Sequence, residues 1–546
     1  MLVLLLACAE PKPATDTDPS TVDSPTLDDS ASTTDTAPTS TACEGLTVRP
    51  WDGSGTIGAF DSVAPDFTVT LADGSAWTLS DHWSGCESVV GIAWLPDAAY
   101  PDLSKKSKIK SWLEASPPNV HYLVWVDAAD RSTIVAEQAE LIAGAIENLD
   151  DPATVAWWAD RVHVVADDPY DDSWIGQLNQ TYRTEFPTNW AIDRFQVVRE
   201  TGYFGDPLTG WTEYPATFVN YEVVRFNQES DRADRMDAQD ATVVRAFDAA
   251  PQSSGWVATV DLPDAAAFDS LELDLTMACG HPEPIACPEW DYLVYAYLCD
   301  KDDPATTEVD ESSTTCTQFG RFITTYARSG RWTVDASPFL ALVGDGGPKV
   351  VRFASSNAYD LTLDLRFYDR GTGWRPYALS FLWTGGGFNE NYDSLHAPIV
   401  FTPPADAARV DVVGLITGHG YGQDRANCAE FCNHQHQFTV NDAGSWMKET
   451  PDAGSSYGCA EETADQTVPN QYGTWVYGRG GWCPGKQVDP WSADVTAAVD
   501  LSGPNTITYQ GLFEGETYYP EYRDSGSGFG ATIDGATWLV YCRAAR

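Results

Sequence analysis

Residues 285–300 read IACPEWDYLVYAYLCD, and they show how the C-terminal half of the chain is built. Every side chain from Tyr292 to Leu298 is apolar or aromatic, which predicts a β-strand that is covered on both faces. Asp291 lies at the start of this strand. A carboxylate in that place is either an ordinary cap of the strand or a group that the fold directs at a substrate.

Similar short stretches follow one another from about Ala241 onward, separated by Gly, Pro, Asp and Asn. Eight of them would fill one sandwich: TVVRAFDA, GWVATVDL, SLELDLTMAC, YLVYAYLC, GRFITTYA, KVVRFAS, LTLDLRFY and ALSFLWTG. A second set runs from APIVFTPP to TWLVYCRA. We therefore predict two all-β sandwiches in series, over residues 241–386 and 387–546.

The preceding part, residues 45–228, alternates strands and helices instead. Its predicted elements are a hairpin in PDFTVTLADGSAWTLSD with the turn at Asp73-Gly74, two central parallel strands in SVVGIAWL and VHYLVWV, a helix from Ser132 to Ile146, and a further strand in NWAIDRFQVVRETG after Pro187. Such an order predicts an α/β domain.

This order resembles the thioredoxin-like fold of peroxiredoxins and thiol-disulfide oxidoreductases. APDFTVTLADGSAWTLSD is similar to the opening of that fold, and FPTNWAIDRFQVV is similar to the segment after its cis-proline. The chemistry of those proteins needs a thiolate just after the first central strand. Here LPDAAY stands at that place without a cysteine, and Cys86 precedes the strand. The resemblance therefore implies a scaffold or binding module that is redox-inactive.

The first ten residues, MLVLLLACAE, resemble a bacterial lipoprotein signal. The resemblance implies a signal over residues 1–8, lipidation of the Cys8 thiol and hence a membrane anchor. The apolar run is too short to span a bilayer. Residues 9–44 are mostly Asp, Thr, Ser and Pro, which cannot bury enough apolar surface to fold, so we predict a disordered acidic stalk.

The 546 residues carry a formal net charge of −48 and include 12 cysteines. The negative charge argues against nucleic acid or an anionic membrane surface as a partner, because their phosphate groups would repel the protein. Most of the cysteines lie close to a second cysteine, which favours disulfides and export. We expect a protein that is lipid-anchored at the bacterial outer membrane or cell surface, or secreted.

Three motifs of the C-terminal half, CPEWDYLVYAYLCD, CAEFC and GRGGWCPG, occur in the order found in bacterial peptide-N-glycosidase F. Over about 241–546 the chain resembles this family of amidases, which remove N-linked glycans. The resemblance implies two eight-stranded jelly rolls packed side by side. It also implies hydrolysis of the glycosylated asparagine amide, which frees a glycosylamine and leaves aspartate. Two carboxyl groups of unequal pKa can perform this reaction without a metal or other cofactor.

The resemblance assigns roles to single residues. Asp291 matches the principal catalytic aspartate of the family, and Glu430 matches the glutamate of its Cys-Ala-Glu-aromatic-Cys motif. Arg479 and Trp482 match substrate-side residues, since a guanidinium can bond sugar hydroxyls or a carboxylate and an indole can stack on a sugar ring. Trp290 also corresponds, although tryptophans at strand edges mostly serve packing.

Three family residues differ in this chain. KVVRFASSNAYD, aligned with the strand of the family's third active-site glutamate, contains no glutamate, and Asp360 is its nearest acid. Tyr292 replaces the arginine that follows the catalytic aspartate. His419 stands in place of a tryptophan and is a further candidate for contact with substrate. All three changes concern the substrate side of the implied site.

The family also implies three disulfides, Cys279–Cys287, Cys428–Cys432 and Cys459–Cys483. Cys299 and Cys316 bracket a polar loop and can pair as an added clasp. Among Cys43, Cys86 and Cys542 one cysteine is then unpaired, and the spacing does not identify it.

Two alternatives stay open. His434 and His436 would point to the same face of a strand and can ligate copper or zinc, as in the copper-dependent hydroxylating monooxygenases that share paired jelly rolls. Those enzymes need more histidines and a methionine at the second sandwich, so we predict a plain strand pair and no metal. The main alternative to an enzyme is a non-catalytic surface lipoprotein that binds glycans or glycoproteins.

Overall fold

A computed structural model describes residues 43–96, 102–182, 189–209, 215–251, 255–300, 316–355 and 359–545. The predicted signal, the lipid anchor at Cys8, the stalk up to residue 42 and Pro187 lie outside these ranges. Cys43, assigned to the stalk, lies inside them and forms a disulfide with Cys86. Within the described residues, no helix is both long and apolar enough to cross a membrane.

The α/β part contains a mixed five-stranded sheet. Its elements are β1 (Thr68–Thr70), β2 (Ala76–Thr78), α1 (Leu79–His82), β3 (Ser88–Trp94), α2 (Lys106–Ala115), β4 (Val120–Val126), α3 (Arg131–Ile146), α4 (Pro152–Ala159), β5 (Val162–Val165), α5 (Trp174–Tyr182), β6 (Trp190–Ile192), β7 (Val198–Glu200) and α6 (Phe218–Asp237). The sheet order is β5-β4-β3-β6-β7, with β3, β4 and β5 parallel. The predicted hairpin, central strands and helix are confirmed.

The stretch NWAIDRFQVVRETG was predicted as one strand, but it forms the antiparallel pair β6 and β7. The side chain of Asp193 accepts hydrogen bonds from the backbone N–H of Phe195 and of Val197, at 2.9 and 3.0 Å. Gln196 has a φ of 60° in the turn. Such a bonded aspartate favours a tight turn, so the chain reverses there instead of continuing as a strand. The relation of this part to thioredoxin stays a prediction.

The first sandwich contains two four-stranded antiparallel sheets. Its elements are β8 (Thr242–Ala250), β9 (Trp256–Leu262), β10 (Ser270–Ala278), α7 (Glu283–Ala286), β11 (Leu293–Asp300), β12 (Cys316–Ile323), β13 (Gly330–Asp335), β14 (Gly347–Ala354) and β15 (Asp360–Tyr368). The sheet orders are β13-β10-β15-β8 and β12-β11-β14-β9. Alternate residues of each strand, such as Val294, Ala296 and Leu298, form the core between the sheets.

The second sandwich begins with a strand that the sequence pattern assigns to the first. Its elements are β16 (Trp374–Gly387), β17 (Ile399–Phe401), β18 (Arg409–Tyr421), β19 (His434–Val440), β20 (Gly444–Lys448), α8 (Gly458–Glu461), β21 (Trp491–Asp494), β22 (Asn505–Phe513), β23 (Glu516–Thr517) and β24 (Phe529–Ala544). The sheet orders are β16-β24-β18-β21 and β17-β22-β19-β20. ALSFLWTG lies in β16 and pairs with β24, which corrects its predicted place; β13 is the eighth strand of the first sandwich instead.

Short 3₁₀ helices complete the described elements, at Pro207–Thr209, Ala265–Ala267, Ser337–Leu342, Tyr392–Leu395, Glu462–Asp465 and Thr496–Ala498.

The two sandwiches pack side by side through β18 and β24. Successive residues of β24 face opposite ways. Trp538 belongs to the core shared with the first sandwich, whereas Leu539 belongs to the core of the second. The ring of Trp538 meets that of Phe339 edge-on at 5.0 Å. The two sandwiches, whose loops carry most of the candidate site residues, are therefore held together by a continuous apolar interface.

His281 joins the first sandwich to the α/β part. Its Nδ1 lies 2.6 Å from a carboxylate oxygen of Glu200, and its Nε2 lies 2.9 Å from one of Asp61. Burial disfavours the charged ring, but the bonds to Asp61 and Glu200 outweigh that effect and raise the pKa of His281 from 6.5 to about 10.

We expect His281→Gln to lower the free energy of unfolding at neutral and acidic pH. Because folding raises the pKa of His281, its stabilising contribution is complete below about pH 6.5 and is lost as the pH rises through about 10. Urea denaturation across this range should show the difference from wild type shrinking with rising pH. His163→Gln is the control, since burial lowers the pKa of His163. If the difference in unfolding free energy between His281→Gln and wild type does not shrink with rising pH, the assignment is contradicted.

Candidate active site

Asp291 lies between the Cys279–Cys287 disulfide and β11. Thr324 holds the backbone on both sides of it: the Thr324 hydroxyl accepts from the N–H of Tyr292 at 2.8 Å and donates to the carbonyl of Trp290 at 2.9 Å. The acid at the start of the strand is thus directed by its neighbours, and its side chain keeps 14% exposure.

Glu430 lies in the loop that the Cys428–Cys432 disulfide closes. Its backbone N–H donates to the carbonyl of Gly420 at 3.1 Å, and its carbonyl accepts from Gly480 at 2.7 Å. A Cβ at Gly480 would lie 2.4 Å from the carbonyl oxygen of Ala429, so only glycine permits this approach of the two loops. The Glu430 side chain keeps 13% exposure.

Arg479 lies between these two acids, with a side-chain exposure of 1%. Its Nε donates to Oε1 of Glu430 at 3.1 Å, and its Nη2 lies 4.0 Å from Oδ2 of Asp291. Its other donors bond the carbonyls of Thr474 and Tyr477 and the hydroxyl of Thr474. The five N–H groups of the guanidinium are therefore all engaged within the protein.

Burial raises the pKa of both carboxyl groups. For Asp291 the raised pKa is opposed by the charge of Arg479 and by a hydrogen bond from Tyr326. For Glu430 the charge of Arg479 also opposes the effect of burial, but the negative charge of Asp291 raises the pKa further. Because the charge of Asp291 raises the pKa of Glu430, Glu430 can carry a proton while Asp291 is ionised, and acid–base catalysis can use such a pair.

Trp482 and His419 stack beside Arg479. The Arg479 guanidinium carbon lies 4.9 Å from the centre of the Trp482 ring, and the His419 ring stacks on the same indole at 5.1 Å. The indole N–H donates to the carbonyl of Gly418 at 2.7 Å. Trp482 is buried, so this structure has it packed against protein groups.

The His419 ring is neutral in this setting. Burial lowers the pKa of His419 to about 4, and its Nε2 lies 2.8 Å from the hydroxyl of Thr417. Trp290, in contrast, is exposed next to Asp291, as is Tyr292 on the other side. These two exposed residues are the chain neighbours of Asp291, and the ring of Trp290 lies 6.5 Å from that of Tyr326.

Tyr326 is a site residue that the sequence analysis missed. It is buried, bonds Asp291, and has its pKa raised by burial and by the charge of Asp291. Its backbone N–H donates to the side chain of Gln471 at 2.8 Å. No motif marks it, because it lies after β12, and only the pairing of β12 with β11 brings it to Asp291.

Among the described residues, no third acid forms an ion pair with Arg479 beside Asp291 and Glu430. Asp360 is exposed and begins β15. It pairs with Ala278 of β10, in the β13-β10-β15-β8 sheet of the first sandwich. A different acid, Asp534, is bonded to Arg321 at 3.0 Å and to the Tyr295 hydroxyl at 2.5 Å between the sandwiches.

His434 and His436 form a buried hydrogen-bonded chain. Nδ1 of His434 lies 2.7 Å from Nε2 of His436, Nε2 of His434 lies 3.2 Å from the carbonyl of Gly480, and Nδ1 of His436 lies 2.7 Å from the hydroxyl of Tyr509. Burial lowers the pKa of His434 to about 3 and that of His436 well below its usual value. All four ring nitrogens of the two histidines thus have partners. The His434 ring contacts the carbonyl of Gly480, the residue after Arg479.

The four disulfides predicted from the family and from the polar loop are present: Cys279–Cys287, Cys299–Cys316, Cys428–Cys432 and Cys459–Cys483. Cys43 and Cys86 are paired as well, so that among the cysteines in the described ranges Cys542 is the free one, and it is buried. Disulfides in this number are typical of proteins that fold outside the cytoplasm.

Residues 387–533 match the family model described as Peptide-N-glycosidase F, C terminal. This region is therefore similar to the C-terminal part of peptide-N-glycosidase F. The solved structures similar to the chain include a peptide-N(4)-(N-acetyl-beta-D-glucosaminyl) asparagine amidase, at 16% identity and a TM-score of 0.44, and PNGase F, a glycosylasparaginase from Flavobacterium meningosepticum, at 15% identity and a TM-score of 0.42. Each alignment covers 56% of this chain and 96% of the other. No curated protein matches the chain.

Proposed function

We propose that this peptide-N-glycosidase F-like chain hydrolyses the side-chain amide of glycosylated asparagine, releasing N-linked glycans from glycoproteins or glycopeptides and leaving aspartate. One observation carries the proposal: Asp291 of the first sandwich and Glu430 of the second share the buried Arg479, and both carboxyl groups keep access to solvent. The match to the family model over residues 387–533, which include Glu430 and Arg479, supports the same reaction.

The reaction adds water across the C–N bond of the amide. The Asp291 carboxylate accepts a proton from the attacking water as its oxygen bonds to the amide carbon. Glu430, whose pKa is raised by burial and by the charge of Asp291, gives its proton to the nitrogen as the C–N bond breaks. The products are an aspartate side chain and a glycosylamine, and proton exchange with solvent restores the two carboxyl groups.

Arg479 and Trp482 act as positioning residues in this proposal. The donors of Arg479 are engaged by Glu430 and by loop carbonyls, so it orients the acids and balances their charge. The Trp482 ring packs against both Arg479 and His419. We assign the sugar contacts first expected of Trp482 to Trp290 and Tyr292 instead. These are the exposed residues before and after Asp291 in the chain.

The test is incubation of the purified full chain with a denatured N-glycosylated protein in ¹⁸O-enriched water. Amide hydrolysis converts the glycosylated Asn to Asp that carries the heavy oxygen, as mass spectrometry of the peptides would show. A sugar left on Asn would indicate cleavage between sugars and contradict the proposal.

The second candidate is a glycan-binding protein without activity, favoured by the absence of a third acid at Arg479 among the described residues. For this candidate, the purified chain would bind the glycoprotein, and the Asn of the bound glycoprotein would stay glycosylated.

Tyr326→Phe should move the acidic limb of the pH profile of kcat/KM to higher pH. The hydrogen bond from Tyr326 lowers the pKa of Asp291, so its loss lets that pKa rise, and a larger fraction of Asp291 is protonated at a given pH. We expect kcat/KM at neutral pH to fall roughly tenfold. Tyr359→Phe is the matched control, because this buried tyrosine bonds Thr325 instead; equal profiles for the two variants would argue against the role of Tyr326.

A further inference from the structure

An exposed pair of aromatic rings lies where the end of β18 meets the start of β24. Tyr421 and Phe529 are partners in the register of these strands, and their ring centres are 5.8 Å apart. Their exposed fractions are 42% and 69%. Adjacent aromatic rings with this much contact with water are unusual on a protein surface unless they bind something.

Phe431 connects these two rings to Glu430 and Arg479 of the candidate active site. The ring of Phe431, the residue after Glu430, lies 6.4 Å from that of Tyr421. The guanidinium carbon of Arg479 lies 5.4 Å from the centre of the same Phe431 ring. Tyr421, Phe431 and Phe529, here called the aromatic platform, therefore lead from the carboxyl groups outward to the surface.

The backbone beneath the platform is held in place. The N–H of Gly422 donates to the side chain of Asn427 at 2.6 Å, and the side-chain amide of Gln423 donates to the carbonyl of Gly528 at 3.1 Å. With Glu430 bonded to Gly420, the segments on both sides of the rings are tied to the catalytic loop. A ligand would thus meet a surface that needs little ordering on binding.

The polar groups around the platform suit hydroxyl groups and not a strong charge. Arg425 and Glu521 are exposed as a loose pair at 3.8 Å, and Arg523 donates to the carbonyl of Asp424 at 2.9 Å. With Asp424 and the exposed Asp524, these segments carry three acids and two arginines, so no large charge of one sign stands beside the rings. Apolar ring faces beside mixed polar groups match a neutral sugar, which has an apolar C–H face and hydroxyl groups at its edge.

We infer that the aromatic platform is a binding subsite for uncharged outer sugars of the N-glycan. The inference rests on the proposed function and specifies the part of the substrate that this surface takes. The sugar attached to Asn lies at Asp291 and Glu430, and Phe431 separates them from the exposed pair. Only sugars further along the glycan reach Tyr421 and Phe529, so an enzyme with this platform prefers extended glycans to single sugars.

The test measures binding by calorimetry to the full chain carrying Asp291→Asn, so that no turnover interferes. Three probes are compared: an unglycosylated peptide, the peptide with one N-acetylglucosamine on Asn, and the peptide with a neutral high-mannose oligosaccharide. The expected result is tighter binding of the oligosaccharide form. Adding Tyr421→Ala or Phe529→Ala should reduce the affinity ratio of the long to the short glycan by about three- to tenfold.

Trp374→Ala is the matched control, because this exposed tryptophan pairs with Ala544 at the opposite end of β24. The inference is overturned if the long and short glycans bind equally, if the platform variants behave as Trp374→Ala does, or if they weaken the unglycosylated peptide by the same factor. Binding does not depend on catalysis. Glycan release is therefore assayed separately, with the wild-type chain. If the preference for the long glycan is found but the wild-type chain releases no glycan, the platform is upheld and the proposed reaction is rejected.

Discussion

Asp291→Asn should abolish release of glycan, with kcat/KM at least about 10³-fold below that of wild type. The substitution keeps the size of the side chain but removes the group that accepts a proton from water. It also removes the negative charge that raises the pKa of Glu430, so a smaller fraction of Glu430 carries the proton that the nitrogen needs at neutral pH. Both changes act in the same direction, which is why we expect this effect to be the largest on activity.

The measurement is the conversion of glycosylated Asn to Asp in a denatured glycoprotein, followed over time by mass spectrometry. Asp360→Asn is the control, since this acid is exposed at the start of β15 and is the nearest acid to the position of the family's third glutamate. Its activity should equal that of wild type. Substantial activity in Asp291→Asn, or a large loss in Asp360→Asn, would reject the assignment of Asp291.

Arg328→Met should lower the free energy of unfolding by about 3–5 kcal/mol, a large loss for a single substitution. The buried guanidinium lies 2.7 Å from Oε1 of Glu222 in α6 and 2.8 Å from Oε2 of Glu283 in α7. It also donates to the carbonyls of Glu200 and Pro469. Without it, two buried carboxyl groups lose their counter-charge at the junction of the α/β part and both sandwiches.

Urea denaturation of the full chain would measure the effect. Arg245→Met is the control, because the Arg245 side chain is 51% exposed in its ion pair with Asp364 and should contribute under about 1 kcal/mol. Adding Glu222→Gln to Arg328→Met should recover part of the loss, since one unpaired charge is then removed. A loss for Arg328→Met no greater than that of Arg245→Met would contradict the account.

Activity should fall with the same substitution. Arg328 lies two residues after Tyr326, and it binds the carbonyl of Pro469 in the segment that continues to Gln471, the residue that bonds the Tyr326 backbone. Trp475, in the same segment, packs into the core of the α/β part. The α/β part therefore supports the loops that hold Tyr326 and Arg479, a role consistent with its lack of a cysteine after the first central strand.

The strand assignments succeeded where the pattern is local. The apolar run after Asp291 is β11, and the alternating stretches that follow are strands of β-sandwiches. ALSFLWTG was misplaced because alternation identifies a strand but not its partner, and β16 pairs with β24 at the far end of the chain. β13 was missed because it is a six-residue stretch, GRWTVD, with charged residues near both ends.

The elements with a periodic pattern and the residue types available for acid–base chemistry can be read from the sequence alone, because each depends on neighbours along the chain. Three of the disulfides followed from the resemblance to a family. The meeting of Asp291 and Glu430 at Arg479, the approach of Tyr326 and the packing of Trp482 against protein groups became visible in the folded chain. These contacts join residues of different sandwiches and loops. Their geometry follows from how two apolar interfaces pack, which no local pattern of residues specifies.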